Sequence, residues 1–170
     1  MSRSMPTTYK LKSLESQAKY GLEYQSSNSK QDLHYYNKGD SAALQLTHIY
    51  FSANDEPNMI KWADFAATNY QNTKALMIIA NYFKIEKQDD KMLYYLKWAV
   101  DLEWHGACKQ MALYYKVSDD KMNMIQYANL GTSYGCVDCA KMMVEYYENM
   151  NCHYEAAKYH RAIETIKRKY

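Results

Sequence analysis

The chain has 170 residues, close to the size of one compact domain, and 21 basic against 19 acidic side chains leave a net charge of +2, which argues against a nucleic-acid binder built on bulk positive charge. Hydrophobic residues make up 48 % and Tyr alone is 19 of the 170, enough for a real core, whereas five Gly and two Pro are too few for the many tight turns of a sandwich or barrel. The composition predicts an all-α protein.

Residues 1–8 are polar, lack the apolar stretch of a signal peptide and are predicted to be disordered. The most apolar run, residues 75–83, is nine residues long and too short to span a bilayer. A cytoplasmic location is therefore expected, with Cys108, Cys136, Cys139 and Cys152 as reduced thiols and not a disulfide frame. Residues 9–42 are predicted to form N-terminal capping helices or a degenerate repeat, an irregular pair over 9–25 and 30–37, with Lys38-Gly39-Asp40-Ser41-Ala42 closing the unit.

From residue 43 the chain repeats. ALQLTHIYF (43–51) is followed by ALMIIANYF (75–83), ACKQMALYY (107–115) and CAKMMVEYY (139–147), each 32 residues after the last. A small residue opens each segment (Ala43, Ala75, Ala107, Cys139), a second inward position lies four later (Thr47, Ile79, Met111, Met143), and an aromatic pair ends it. These offsets share one face of a helix and predict four units, 43–74, 75–106, 107–138 and 139–170. A second helix is entered through Asp55-Glu56-Pro57, Asp89-Asp90, Ser118-Asp119-Asp120 and Asn151, side chains that accept orphan amide hydrogens or favour the positive helix end. Each second helix sets an aromatic against a small residue: Trp62 and Ala66, Tyr95 and Ala99, Tyr127 and Gly131, Tyr159 and Ala162. Trp62 to Tyr95 is 33 residues where Tyr95 to Tyr127 is 32, which suggests one extra residue at Lys97.

The stretch YYLKWAVDLEWHGACKQMALYY (94–115) resembles the junction of two Sel1-like or tetratricopeptide helical repeats, and the resemblance covers 43–170. It departs from that family in its 32-residue period and in placing His48 and Val144, alongside Ala80 and Ala112, where the family has a small residue. The resemblance implies a right-handed α-solenoid of stacked antiparallel helix pairs with first helices on the concave side, and non-catalytic adaptor or scaffold work in protein complexes. Positions off the apolar stripe are then Gln45, Ile49 and Ser52; Met77, Asn81 and Lys84; Lys109, Leu113 and Lys116; and Lys141, Glu145 and Glu148. Such a groove suits a peptide or protein segment with acidic residues and an apolar anchor. The alternative is a nucleic-acid or anionic-surface binder using the same lysines with Lys158, Arg161, Lys167, Arg168 and Lys169. Self-association is a third reading, because the last unit has no following repeat to cover Tyr159, Ala162 and Ile166.

Catalytic and metal motifs carry less. Cys136-x-x-Cys139 followed by Cys152-His153 has the spacing of a four-ligand zinc site. The repeat register assigns Cys139 to the small buried slot, however, and Cys136 to the turn position of Asn72 and Trp104, so structural thiols are the expected reading and no metal or other cofactor is predicted. His34, His48, His105, His153 and His160 form no HExxH pattern, and the acidic pairs stand at helix starts. Residues 131–135 read as a helix end and turn without phosphate-loop context. No enzymatic activity is predicted.

Overall fold

The computed structural model describes residues 7–26 and 29–169, and among them the apolar periodicity becomes helix with no strand. The elements are α1 (Thr8–Tyr20), a 3-10 turn (Gly21–Tyr24), α2 (Lys30–Ser52), α3 (Glu56–Tyr70), α4 (Thr73–Ile85), α5 (Asp89–Asp101), α6 (His105–Val117), α7 (Lys121–Ser133), α8 (Val137–Asn149) and α9 (His153–Lys169). Of the segment predicted as disordered, residues 1–6 lie outside the described residues, while Thr7 and Thr8 are the N-cap and first residue of α1. The first helices α4, α6 and α8 are each 13 residues long and keep the 32-residue interval. No described helix is long and apolar enough to cross a membrane.

The turns explain how so few glycines suffice. Asn54, Lys87, Asp119 and Asn151 lead from first to second helices, Gln71, Glu103 and Gly135 lead from one pair to the next, and all seven adopt positive φ, between 53° and 87°. The residue after each donates its amide back across the helix end, as in Asp55 to Tyr50 O at 3.0 Å, Gln88 to Phe83 O at 2.9 Å, Trp104 to Ala99 O at 3.0 Å and Cys136 to Gly131 O at 2.8 Å. This is the six-to-one bond of a left-handed helix stop, which satisfies a terminal carbonyl. At four of these turns the next helix starts at once on a side-chain cap: Asp55 accepts from the Asn58 amide, Asn72 from Ala75, Asp120 from Asn123, and the Cys136 thiol from Cys139. Connections of two or three residues enforce antiparallel neighbours.

Two details differ from expectation. The left-handed residues Asn54 and Lys87 are 33 apart whereas Gln71, Glu103 and Gly135 keep 32, so the length irregularity lies in the first pair, where the turn comes one residue early and α3 runs to 15 residues. Lys97 sits in the uninterrupted 13-residue α5 and is not an insertion. The second is Gly39, which does not break the chain, since α2 is one 23-residue helix running through it. Gly39 is buried where the backbone of Gly21 crosses; a Cβ there would fall 2.8 Å from the Gly21 Cα and closer still to the Tyr70 hydroxyl, which donates to the Ala18 carbonyl. Glycine at 39 permits a helix crossing and not a turn.

The chain divides into two compact units at Tyr95/Leu96, within α5. In the N-terminal unit α1 and the 3-10 turn pack on α2, α2 on α3, α3 on α4, and α2 lies alongside α4; Leu46, Met59, Trp62, Leu76, Ile79 and Phe83 are fully buried there. In the C-terminal unit α6 packs on α7, α7 on α8, α8 on α9, and α6 lies alongside α8. Its core joins Ala112, Met124, Ala128, Met142 and Met143, with Ala140, Val144 and Ile163 beneath α9. A ring stack closes three of the pairs: Phe83 on Tyr95 at 5.8 Å between centroids in the N-terminal unit, Tyr115 on Tyr127 at 5.6 Å and Tyr147 on Tyr159 at 5.7 Å in the C-terminal unit. Five of the 19 tyrosines are thereby placed between paired helices, each stack contributing about 0.5–1.5 kcal/mol beyond its burial.

Candidate binding surface

With Ala75, Ile79, Ala107, Met111, Cys139 and Met143 turned inward and 0–2 % exposed, helical geometry directs the residues two and six positions after each small residue away from the core. On α2 and α4 of the N-terminal unit, Gln45, Ser52, Asn81 and Lys84 are exposed and Ile49 and Met77 half-buried. On α6 and α8 of the C-terminal unit, Lys116, Lys141, Glu145 and Glu148 are exposed, Lys109 is half-buried, and Leu113 is 42 % exposed.

The structure adds acidic partners to these lysines. Lys109 Nζ lies 2.6 Å from Asp138 Oδ2 and Lys116 Nζ 3.0 Å from Glu145 Oε2, both from α6 to α8, while Lys141 approaches the other Asp138 oxygen at 4.0 Å. The hydrogen bond and charge of Lys109 hold the Asp138 carboxyl below the usual carboxylate range, and the same contact raises the Lys109 ammonium. Asp138 was not among the residues that the sequence singled out. Both cross-helix pairs are separated by 29 residues, three fewer than the repeat. The basic residues of α9 are similarly tempered, with Lys158 near Glu155 at 3.6 Å and Lys167 near Glu164 at 3.2 Å. Tyr159, Ala162 and Ile166, which the sequence left uncovered, are each half-buried, and Tyr159 donates its hydroxyl hydrogen to Asn129 Oδ1 at 2.5 Å.

The cysteines separate into two places. Cys136 caps α8, its Sγ accepting the Cys139 amide at 3.3 Å. The Cys139 thiol and the His105 ring lie near it and favour its thiolate. Cys108 and Cys139 both crowd Gly131 of α7: a Cβ on Gly131 would lie 2.9 Å from the Cys108 Cβ. The hydrogen bond from the Cys139 thiol, with those from its amide and from His105, brings the Cys136 thiol down to about 6, whereas Cys139 is driven up by its bond to Cys136 and by burial, and burial pushes Cys108 up to about 11. Cys152 is exposed beyond the far end of α8, bonded to Met150 O at 3.6 Å, and His153 is exposed beside it. A 13-residue helix is about 20 Å long, so Cys136, Cys139, Cys152 and His153 do not converge on one ion. Among the described residues no group of three or more His, Cys, Asp or Glu side chains is arranged to hold a metal. The neighbours of Cys136 are instead His105 and Cys108 from the preceding first helix, a relation the linear spacing gave no sign of.

No protein-family model matches the sequence, and no curated protein does. Among solved structures the chain is similar to the crystal structure of MamA, with a TM-score of 0.52 and 16 % identity over 98 % of each chain. At that identity the likeness is one of architecture, and together with the helix-pair register it makes this chain an all-α protein with a TPR-like helical-repeat fold.

Proposed function

We propose that the protein is a non-catalytic interaction module, an adaptor or scaffold of the Sel1- or TPR-like kind, that holds a peptide or protein segment on the outward faces of its first helices. The observation that carries this reading is the α6–α8 face, where the exposed Leu113 stands between two cross-helix ion pairs, Lys109–Asp138 and Lys116–Glu145. An apolar ligand side chain gains about 1–2 kcal/mol by covering such a leucine. Exposed ion pairs of this type contribute only about 0–1 kcal/mol each, so acidic groups on the ligand can compete with Asp138 and Glu145 for the lysines at small cost. In the N-terminal unit Ile49 and Met77, with Gln45, Asn81 and Lys84, offer a second face of the same character on α2 and α4. A TPR-like helical-repeat fold, the architecture shared with MamA, fits a scaffold role, and reduced thiols fit a cytoplasmic setting.

The test is affinity capture from the native source with the wild-type protein beside a Lys84→Glu, Lys109→Glu, Lys116→Glu, Lys141→Glu variant, and beside Leu113→Asp, once equal helicity and melting are established. Loss of a specific protein from both variants supports the module. Identical captures refute the assigned face, and a captured nucleic acid whose affinity falls by orders of magnitude between low and physiological salt replaces this reading with the anionic-ligand one.

A further inference from the structure

We infer that Cys136 and Cys139 are a reversible redox-modification site that closes to an intrahelical disulfide on reaction with a hydroperoxide. The two residues are the N-cap and third residue of α8. Positions three apart on a helix have Cα atoms about 5 Å apart, inside the range of about 4.4–6.8 Å that disulfides span. The extended backbone of Cys136, ψ 103°, swings its sulfur back over the first turn, where it lies 3.3 Å from the Cys139 nitrogen. At that Cα spacing side-chain rotation brings the two sulfurs together without a large main-chain movement.

The surroundings divide the two sulfurs by role. Cys136 faces the amide end of α8 and the His105 ring, both of which favour a thiolate, and its acidity is enhanced accordingly. Cys139 is fully buried beside Cys108, remains protonated, and is the resolving thiol. The Cys136 thiolate attacks one peroxide oxygen, so that an S–O bond forms, the O–O bond breaks and the alkoxide or hydroxide leaving group takes up a proton. The Cys139 sulfur then attacks the resulting sulfenic sulfur, the S–S bond forms, and the sulfenic oxygen departs as water with the Cys139 proton. Two thiols are oxidised by two electrons and one peroxide bond is reduced. A dithiol reductant reverses the closure by exchange. Cys136 is only 5 % exposed, which selects a small peroxide over a protein disulfide as oxidant. The register explains why this occurs at α8 alone: Asn72 and Trp104 hold the N-cap slot, and Ala75 and Ala107 the third position, in the other first helices.

The experiment treats the fully reduced, folded chain with equimolar hydrogen peroxide at pH 7, alkylates what remains, and maps the peptides without reduction. A Cys152→Ser background removes the exposed thiol. The expected product is a monomer lighter by two hydrogens, with Cys136 and Cys139 protected from alkylation and restored by dithiothreitol. Cys136→Ser, which keeps an N-cap, and Cys139→Ala, the residue of the other repeats, each abolish the loss of two hydrogens. His105→Phe slows closure by about threefold to tenfold, as expected from a smaller thiolate fraction. A disulfide that includes Cys108, a sulfenic acid on Cys136 that persists without closure, or both thiols remaining alkylatable after peroxide would each overturn the assignment.

Discussion

Gly131 and Cys139 face each other across α7 and α8, and their pairing can be tested by exchanging bulk between them. A methyl on Gly131 would lie 2.9 Å from the Cys108 Cβ and 3.1 Å from the Cys139 Cβ, with the Cys139 Sγ nearer still. Overpacking of this kind costs about 1–3 kcal/mol, while replacing a mid-helix glycine by alanine returns about 1 kcal/mol. Gly131→Ala alone is therefore expected to destabilise by about 1 kcal/mol, a fall in Tm of about 2–4 °C for a chain of this size. Cys139→Ala removes one buried heavy atom and leaves a small void, again about 1 kcal/mol. The double variant fills the void and removes the clash with the Cys139 sulfur, leaving the close approach to the Cys108 Cβ. It recreates the Ala99 and Ala107 combination found 32 residues earlier, both residues 0 % exposed, and should lose less stability than the two single variants together. Urea unfolding followed by circular dichroism and tryptophan fluorescence, with coincident transitions required of both probes, measures a coupling of about 1 kcal/mol. Additive losses in the double variant would refute the packing relation and with it the helix register.

Two further outcomes check the turns and the thiols. Glu103 holds φ 58° without the freedom of glycine, so Glu103→Gly, the residue found at the equivalent Gly135, should raise stability by about 0.5 kcal/mol after the entropy cost of glycine is deducted; a lower urea midpoint would contradict the left-handed stop. Cys136 has a folded pKa lowered from 9.0 to about 6, so its contribution to stability is complete above the unfolded value near 9 and is lost as pH falls through about 6. Cys108 and Cys139 are shifted upward and act in the opposite sense, reducing stability above pH 9. The urea midpoint should then climb between pH 6 and 8.5 in the wild type and stay flatter in Cys136→Ser, whereas equal slopes would remove the low-pKa thiol.

The repeat was legible because it is written in what must be buried. Small residues at 43, 75, 107 and 139, each 0 % exposed, admit the neighbouring helix, and no other residue size fits there without displacement. The capping residues were legible for a similar reason, since Asp55 and Asp120 each satisfy a specific amide. Two aspects were hidden. The left-handed turns fall on Asn, Gln, Lys, Glu and Asp as well as glycine, so they carry no residue signature, and the place of the one-residue irregularity could not be found by aligning aromatics. The two acidic pairs also proved to differ: Asp89 and Asp90 are the first residues of α5, whereas Asp119 is the left-handed residue and Asp120 the N-cap before α7. Gly39 misled for the opposite reason, because a glycine required by a close helix crossing looks in sequence like one required by a turn.

Surface chemistry depends on a quantity that periodicity does not contain, the axial stagger between successive first helices. Compared at the repeat interval, Lys109 falls against Lys141 and Lys116 against Glu148, which reads as a basic groove. The side chains meet at an interval of 29 instead, Lys109 with Asp138 and Lys116 with Glu145, and three residues are about 4.5 Å along a helix axis. At Lys109 that stagger of nearly one turn replaces a like charge by an opposite one, and at Lys116 it exchanges Glu148 for Glu145. Asp138 also serves Lys141 on its own helix, so three lysines of the C-terminal face share two acids within salt-bridge range. On the proposed binding reading, selectivity on that face rests on the shape around Leu113 more than on net charge. Reversing charge at Lys109 alone should therefore weaken a bound acidic peptide chiefly by setting two carboxylates, the new one and Asp138, against each other.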